Sequence, residues 1–118
     1  MTTATIRSPD GRVVCERCLL AEAPLARMRG LLGRASLSAE EGILLRPASS
    51  IHMWFMRFPI DAVFLDGDLR VLRVVEKLKP WRVAAARGAN AVLELPAGAA
   101  EWRGLQTGDR LSVGEPRV

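Results

Sequence analysis

His52 is the only histidine in the chain, and histidine is the one side chain whose unperturbed pKa lies close to neutrality. It stands near the start of the stretch Ile51–Asp66, IHMWFMRFPIDAVFLD, which holds all three phenylalanines, one of three tryptophans and two of four methionines. Asp61 lies further along this run, after Pro59. A carboxylate behind an imidazole is a base–orienter arrangement that can move a proton. Ser49 and Ser50 are near in sequence but lack the nucleophile-elbow context that would activate them. The plainer reading makes His52 a hydrogen-bonded structural residue and Asp61 a buried carboxylate that must be paired. Arg27, Arg34 and Arg57 are its candidate partners, because a guanidinium meets a carboxylate in bidentate fashion. The same arginines could instead face an anionic ligand. His52, Arg57, Asp61, Arg27 and Arg34 therefore form the candidate binding set, and no catalytic residue is assigned.

Cys15 and Cys18 form a single C-x-x-C within VVCERCLLA. A structural zinc site normally takes four ligands, and His52 would be only a third. A thioredoxin-like pair should open a helix after a strand, whereas this pair lies within a strand pattern. Side chains three apart on a strand point to opposite faces, so two unlinked, apolar-packed thiols are expected. No metal and no cofactor are expected. Gly98, Gly104 and Gly108 read as turn residues without P-loop spacing.

The chain has 118 residues, which suits one compact domain over 1–118. Apolar residues make up 49% and charged residues 25%, a globular balance. No apolar run is long enough to span a bilayer. The N-terminus lacks the pattern of a secretory signal, so a cytoplasmic location is expected. The net charge of +4 permits contact with nucleic acid. The basic residues are scattered, however, with no tyrosine to interleave with them, and this argues against nucleic acid as the partner.

Several elements must position these groups. Thr3–Arg7 and Arg12–Ala21 read as a hairpin across Ser8-Pro9-Asp10-Gly11. Pro24 to Leu32 carries helical spacing and stops at Gly33. Ser38 to Glu41 resembles a capping box, and Gly42–Arg46 reads as a strand. Ile51–Phe58 is expected as a two-sided strand. It would set His52, Trp54, Met56 and Phe58 on one face and Ile51, Met53, Phe55 and Arg57 on the other. Trp54, Met56 and Phe58 are assigned to the core. Ile60–Leu65 and Leu69–Leu78 form a hairpin across Asp66-Gly67-Asp68. Lys79–Ala89 has no clear pattern. Asn90–Leu95 is a strand with Glu94 on the face opposite Leu93 and Leu95, where it could meet an arginine. A short helical pattern lies within Ala97–Leu105, and Arg110–Val113 is the last strand. The fold class is mainly β, a sandwich-like or distorted barrel, mostly antiparallel, with one or two short helices.

Three blocks of residues occur together and in order. The first is Ala21 with Arg27, Gly30, Leu31 and Arg34. The second is His52 with Met56-Arg57-Phe58-Pro59-Ile60-Asp61, Phe64 and Asp66. The third is Val92 to Gly98 with Gly108-Asp109. In these the chain resembles, over about Ile6 to Val113, the uncharacterised prokaryotic family known as domain of unknown function one-nine-two. The resemblance implies a compact β-sandwich-like fold with short helices, and brings no established activity, substrate or cofactor. Many relatives look exported, with an N-terminal signal that this sequence lacks. The cysteine pair does not look like part of the shared pattern.

The leading expectation is a small binding module that holds a small ligand or a peptide near the central stretch. The alternatives are a small hydrolase or isomerase using His52 with Asp61, and a basic accessory or interaction domain that touches RNA or protein.

Overall fold

The structure, a computed structural model, describes residues 2–22 and 34–114. The expected helix from Pro24 to Leu32, its stop at Gly33, and Arg27 lie outside these residues. The described chain runs β1 (Thr2–Arg7), β2 (Val13–Ala21), β3 (Glu41–Leu45), β4 (Ser50–His52), β5 (Ile60–Leu65), β6 (Val71–Leu78), β7 (Val83–Ala85), β8 (Ala91–Pro96), α1 (Ala99–Trp102) and β9 (Ser112–Gly114).

Seven strands form one sheet in the order β6-β5-β8-β3-β2-β1-β9, and β4 pairs with β7 in a separate ribbon. Every pairing is antiparallel except β2 with β3. The large sheet curls until its ends meet. The N–H of Val71 donates to Asp109 (2.8 Å) and that of Leu111 to Leu69 (2.9 Å), around a bridge between Arg70 and Arg110. The result is a distorted barrel, which removes part of the exposed sheet edge. Both expected hairpins are present. At the first, Gly11 takes φ 87°, a conformation open to glycine without steric cost. At the second, the Asp66 carboxylate accepts the N–H groups of Asp68 and Arg70, both at 2.9 Å.

Two apolar layers hold the fold. The inner one fills the barrel with Ile6, Val14, Cys15, Cys18, Leu44, Val63, Leu65, Leu93, Leu95 and Leu111. The outer one lies between the wall β3-β8-β5 and the β4–β7 ribbon. It contains Ile43, Ile51, Met53, Met56, Ile60, Ala62, Phe64 and Val92. The wall strands are therefore apolar on both faces, and β5 and β8 are buried along their whole length.

Gly42 sits where β2, β3 and β8 crowd together. A Cβ there would stand 2.9 Å from Cys15 Sγ and 2.9 Å from the Glu94 carbonyl oxygen. Gly42→Ala is expected to cost about 1–3 kcal/mol by overpacking. Urea denaturation checks this, and an unchanged midpoint would show that the strands part freely.

Three expectations need correction. Of the expected Ile51–Phe58 strand only Ile51 and His52 are extended, as the end of β4 (Ser50–His52). The chain then turns, because the Met53 carbonyl accepts N–H groups from both Met56 (3.2 Å) and Trp81 (2.8 Å). Met53 and Met56 thus enter the core together, and Trp54 is exposed rather than buried. Second, the unpatterned stretch after Lys79 contributes β7, which pairs with β4. Third, Cys15 and Cys18 face the same side. Cys15 is opposite Ile6 and Cys18 is opposite Ala4, so β2 spends one more residue than β1 between the two pairs. This bulge cancels the alternation of an even strand.

Candidate functional site

The candidate residues separate into distinct places. Asp61 is fully buried on β5. It lies opposite Leu95 on β8 and so shares the inner face with Val63 and Leu93. One carboxylate oxygen accepts the N–H of Lys77 (2.8 Å), and the other accepts those of Gly98 (3.1 Å) and Ala100 (2.9 Å). Gly98 has no side chain to cap α1, and Asp61 supplies that cap from the adjacent strand β5. Among the described residues its hydrogen-bond partners are thus backbone amides rather than an arginine or a histidine.

His52 is exposed on the ribbon, next to Ile51, which is buried in the outer layer. The wall face that meets this layer is the one carrying Ile60 and Ala62, and Asp61 points the other way. The structure therefore does not bring His52 and Asp61 together. Arg57 is exposed in the turn that follows His52. Arg34 donates to Glu41 at 2.8 Å, at the start of β3. The Glu41 carboxyl is held below its usual range by its hydrogen bonds to Ser38 and by this guanidinium.

Around His52 lies a surface that the sequence reading assigned in part to the core. The His52 and Trp54 rings lie 4.6 Å apart, tilted by 30°. The Phe55 and Trp81 rings meet edge to face at 4.9 Å. Trp54, Phe55, Trp81 and Val83 are 48%, 71%, 57% and 65% exposed. Phe55 and Trp81 have φ of 66° and 67°, a left-handed conformation that is uncommon for bulky side chains and concentrates at functional sites. It directs both rings outward while their neighbours Met53 and Met56 turn in. The spacing of those two methionines, three apart rather than two or four, was the sequence signal for this turn.

Glu94, a possible arginine partner by its strand position, stands outside the candidate set. It lies on β8 opposite Ile43 and Ala62, on the outer face, with 7% exposure. Burial pushes its carboxyl up to about 7, because a dry apolar surrounding penalises the charged form. Among the described residues, no hydrogen-bond or ion-pair partner accompanies it.

Cys15 and Cys18 are free and buried. Their thiols donate to backbone carbonyls, Cys15 to Glu40 and Cys18 to Leu19, both at 3.7 Å. The neighbouring Cys15, with burial adding to it, pushes the Cys18 thiol up, while Cys18 beside it holds Cys15 down. Among the described residues, no group of three or more His, Cys, Asp or Glu is placed to hold a metal ion. No helix among them is long and apolar enough to cross a membrane.

Among the described residues these features define a small β-barrel domain with an outward-facing ring cluster. Residues 5–113 match the model of the family DUF192, described as an uncharacterised ACR, and the chain belongs to that family. A UPF0127 protein of Thermococcus sibiricus is 30% identical over 111 residues, 90% of this chain and 71% of that protein. A UPF0127 protein of Pyrococcus horikoshii is 39% identical over 64 residues, 53% of this chain and 55% of the relative. A solved structure of a Novosphingobium aromaticivorans protein of unknown function superposes with TM-score 0.80 at 28% identity, covering 94% of this chain and 84% of the other. A Sinorhizobium meliloti protein, named as a candidate transcription regulator, superposes with TM-score 0.81 at 26% identity, covering 95% and 94%.

Proposed function

We propose that the protein is a binding module whose contact face is the ring cluster His52, Trp54, Phe55 and Trp81, with Arg57 beside it. The observation that carries this reading is the outward display of Phe55 and Trp81 from left-handed backbone. An exposed apolar cluster of this kind marks a contact surface, and a strained conformation persists only where surrounding structure imposes it. Use of His52 with Asp61 as an acid–base pair draws no support from the geometry, since Asp61 gives both oxygens to backbone amides on the other face. The free thiols of Cys15 and Cys18 fit a reducing compartment such as the cytoplasm, where we place this role.

Native mass spectrometry of the protein, gently purified from its own host, tests the reading. Asn is among the few residues that tolerate positive φ, so Phe55→Asn with Trp81→Asn should keep the fold. A bound mass present in the wild type and lost in this double variant is the expected result. Binding that survives the double variant, at wild-type affinity, would put the contact face elsewhere.

A further inference from the structure

Residues 52–58 and 77–83 meet at one end of the ribbon. The Met53 N–H donates to Arg82 (2.7 Å), and the Trp81 N–H donates to Met53 (2.8 Å). Four of the five exposed large apolar side chains among the described residues, Trp54, Phe55, Trp81 and Val83, gather in these two segments. Arg57, Lys77, Lys79 and Arg82 stand exposed among them. Neither segment contains Asp, Glu, Ser, Thr, Asn or Gln; the nearest acid in sequence is Glu76, just outside. Among the described residues these two segments thus offer rings, apolar bulk and positive charge, and their one side-chain hydrogen-bond acceptor is the His52 imidazole.

That combination decides between classes of partner. A protein interface carries about one hydrogen bond per 100–200 Å², many of them from side chains, and base-specific reading needs fixed donors and acceptors. Single-stranded nucleic acid needs only rings and cations, but it stacks bases on free ring faces along a groove. Here the rings are turned onto each other in pairs, and Val83 adds bulk with no face to stack. The interface of an anionic bilayer has no directional demand. Trp and Phe settle at headgroup depth, and each Lys or Arg near such a surface adds to the attraction.

We propose that this face docks on an anionic lipid bilayer surface. Trp54, Phe55, Trp81 and Val83 seat at headgroup level, and Arg57, Lys77, Lys79 and Arg82 lie over the anionic headgroups. The assignment rests on the binding role given to the ring cluster above, and it names the partner.

The test uses the full chain and two sets of vesicles, phosphatidylcholine alone and phosphatidylcholine mixed with phosphatidylglycerol. Trp102→Phe leaves Trp54 and Trp81 as the only tryptophans, so emission reports on the face alone. The expected result is co-sedimentation with the mixed vesicles, a blue shift of emission, and release by added salt as charges are screened. Phe55→Asn with Trp81→Asn should weaken partitioning at least about tenfold with the urea midpoint retained, since buried ring area supplies part of the affinity. Arg57→Glu with Arg82→Glu should abolish the preference for phosphatidylglycerol. Three results would overturn the proposal: no sedimentation at low salt, undiminished binding by the ring variant (plain charge attraction), or tighter ring-dependent binding of a single-stranded oligonucleotide. If vesicles are ignored but the ring variant still loses a host-derived ligand by mass spectrometry, the bilayer assignment falls and the binding face stands. If both fail, both fall.

Discussion

Asp61→Ala is expected to cost about 3–5 kcal/mol, the largest effect of any single substitution considered. The carboxylate satisfies three backbone N–H groups, from Lys77, Gly98 and Ala100, in a position with no solvent exposure. Each buried donor left without a partner costs about 1–3 kcal/mol, and bonds to charged groups are the stronger kind. Some of that loss is recovered if water enters the gap, so the sum falls short of three full penalties. The expected cost is a large part of the total stability of a domain, about 5–15 kcal/mol. Asp61→Asn keeps one accepting oxygen and turns an NH2 group toward a donor, so it should cost less, about 1–3 kcal/mol. Urea denaturation gives the loss, and hydrogen exchange locates it. The amides of Gly98 and Ala100 should lose protection ahead of those of β8. A cost under about 1 kcal/mol for the alanine variant would show that α1 holds its place without this carboxylate.

Glu94 should produce the second largest effect, of opposite sign. Its carboxyl is raised by burial from 4.5 to about 7 in the folded chain. Below the unfolded value both states hold the proton, and folding carries no charge-burial cost. As pH rises past 4.5 the unfolded state ionises first, so stability falls through the interval and levels off above the folded value. The whole loss amounts to about 3 kcal/mol. Glu94→Gln has nothing to ionise. It should match the wild type near pH 4.5 and exceed it by up to about 3 kcal/mol at pH 8. Asp10, Glu41 and Asp66 are all lowered by their hydrogen bonds. Their contributions are lost only under acid conditions, outside this window. Denaturation of both proteins across the range gives the difference directly. A difference that stays constant from pH 5 to pH 8 would mean that Glu94 is neutral or solvated throughout.

The two acids look alike in sequence, since each stands among apolar neighbours on a strand. What separates them is what the opposite structure supplies. The partners of Asp61 include Gly98 and Ala100, 37 and 39 residues away. They reach it because α1 follows β8, the neighbour of β5. Glu94 points into the outer layer, where its cross-strand neighbours are Ile43 and Ala62.

Local chemistry was legible wherever the cause of the structure is local. Ser8-Pro9-Asp10-Gly11 and Asp66-Gly67-Asp68 announce their hairpins because turn residues act through their own backbone angles. The mainly β class and the barrel option followed from short β-branched and apolar runs between such turns. His52 and Arg57 were marked by residue type alone, and both belong to the exposed face. Phe55 and Trp54 were not marked. A ring in an apolar run gives no sign of whether it faces the core, and two-residue alternation was the wrong period for a turn.

Residue types and their local spacing are enough for the turns, most strands and the class of fold, together with the stretch where rings and cations gather. The closed sheet is what lays β2 parallel to β3, pairs β7 with β4, sets Cys15 beside Cys18 through a bulge, and lets Asp61 cap α1 while His52 stands apart. The physical reason is range. Backbone preference and side-chain alternation act over a few residues, whereas strand partners, bulges and buried hydrogen bonds join groups that meet only when the sheet closes.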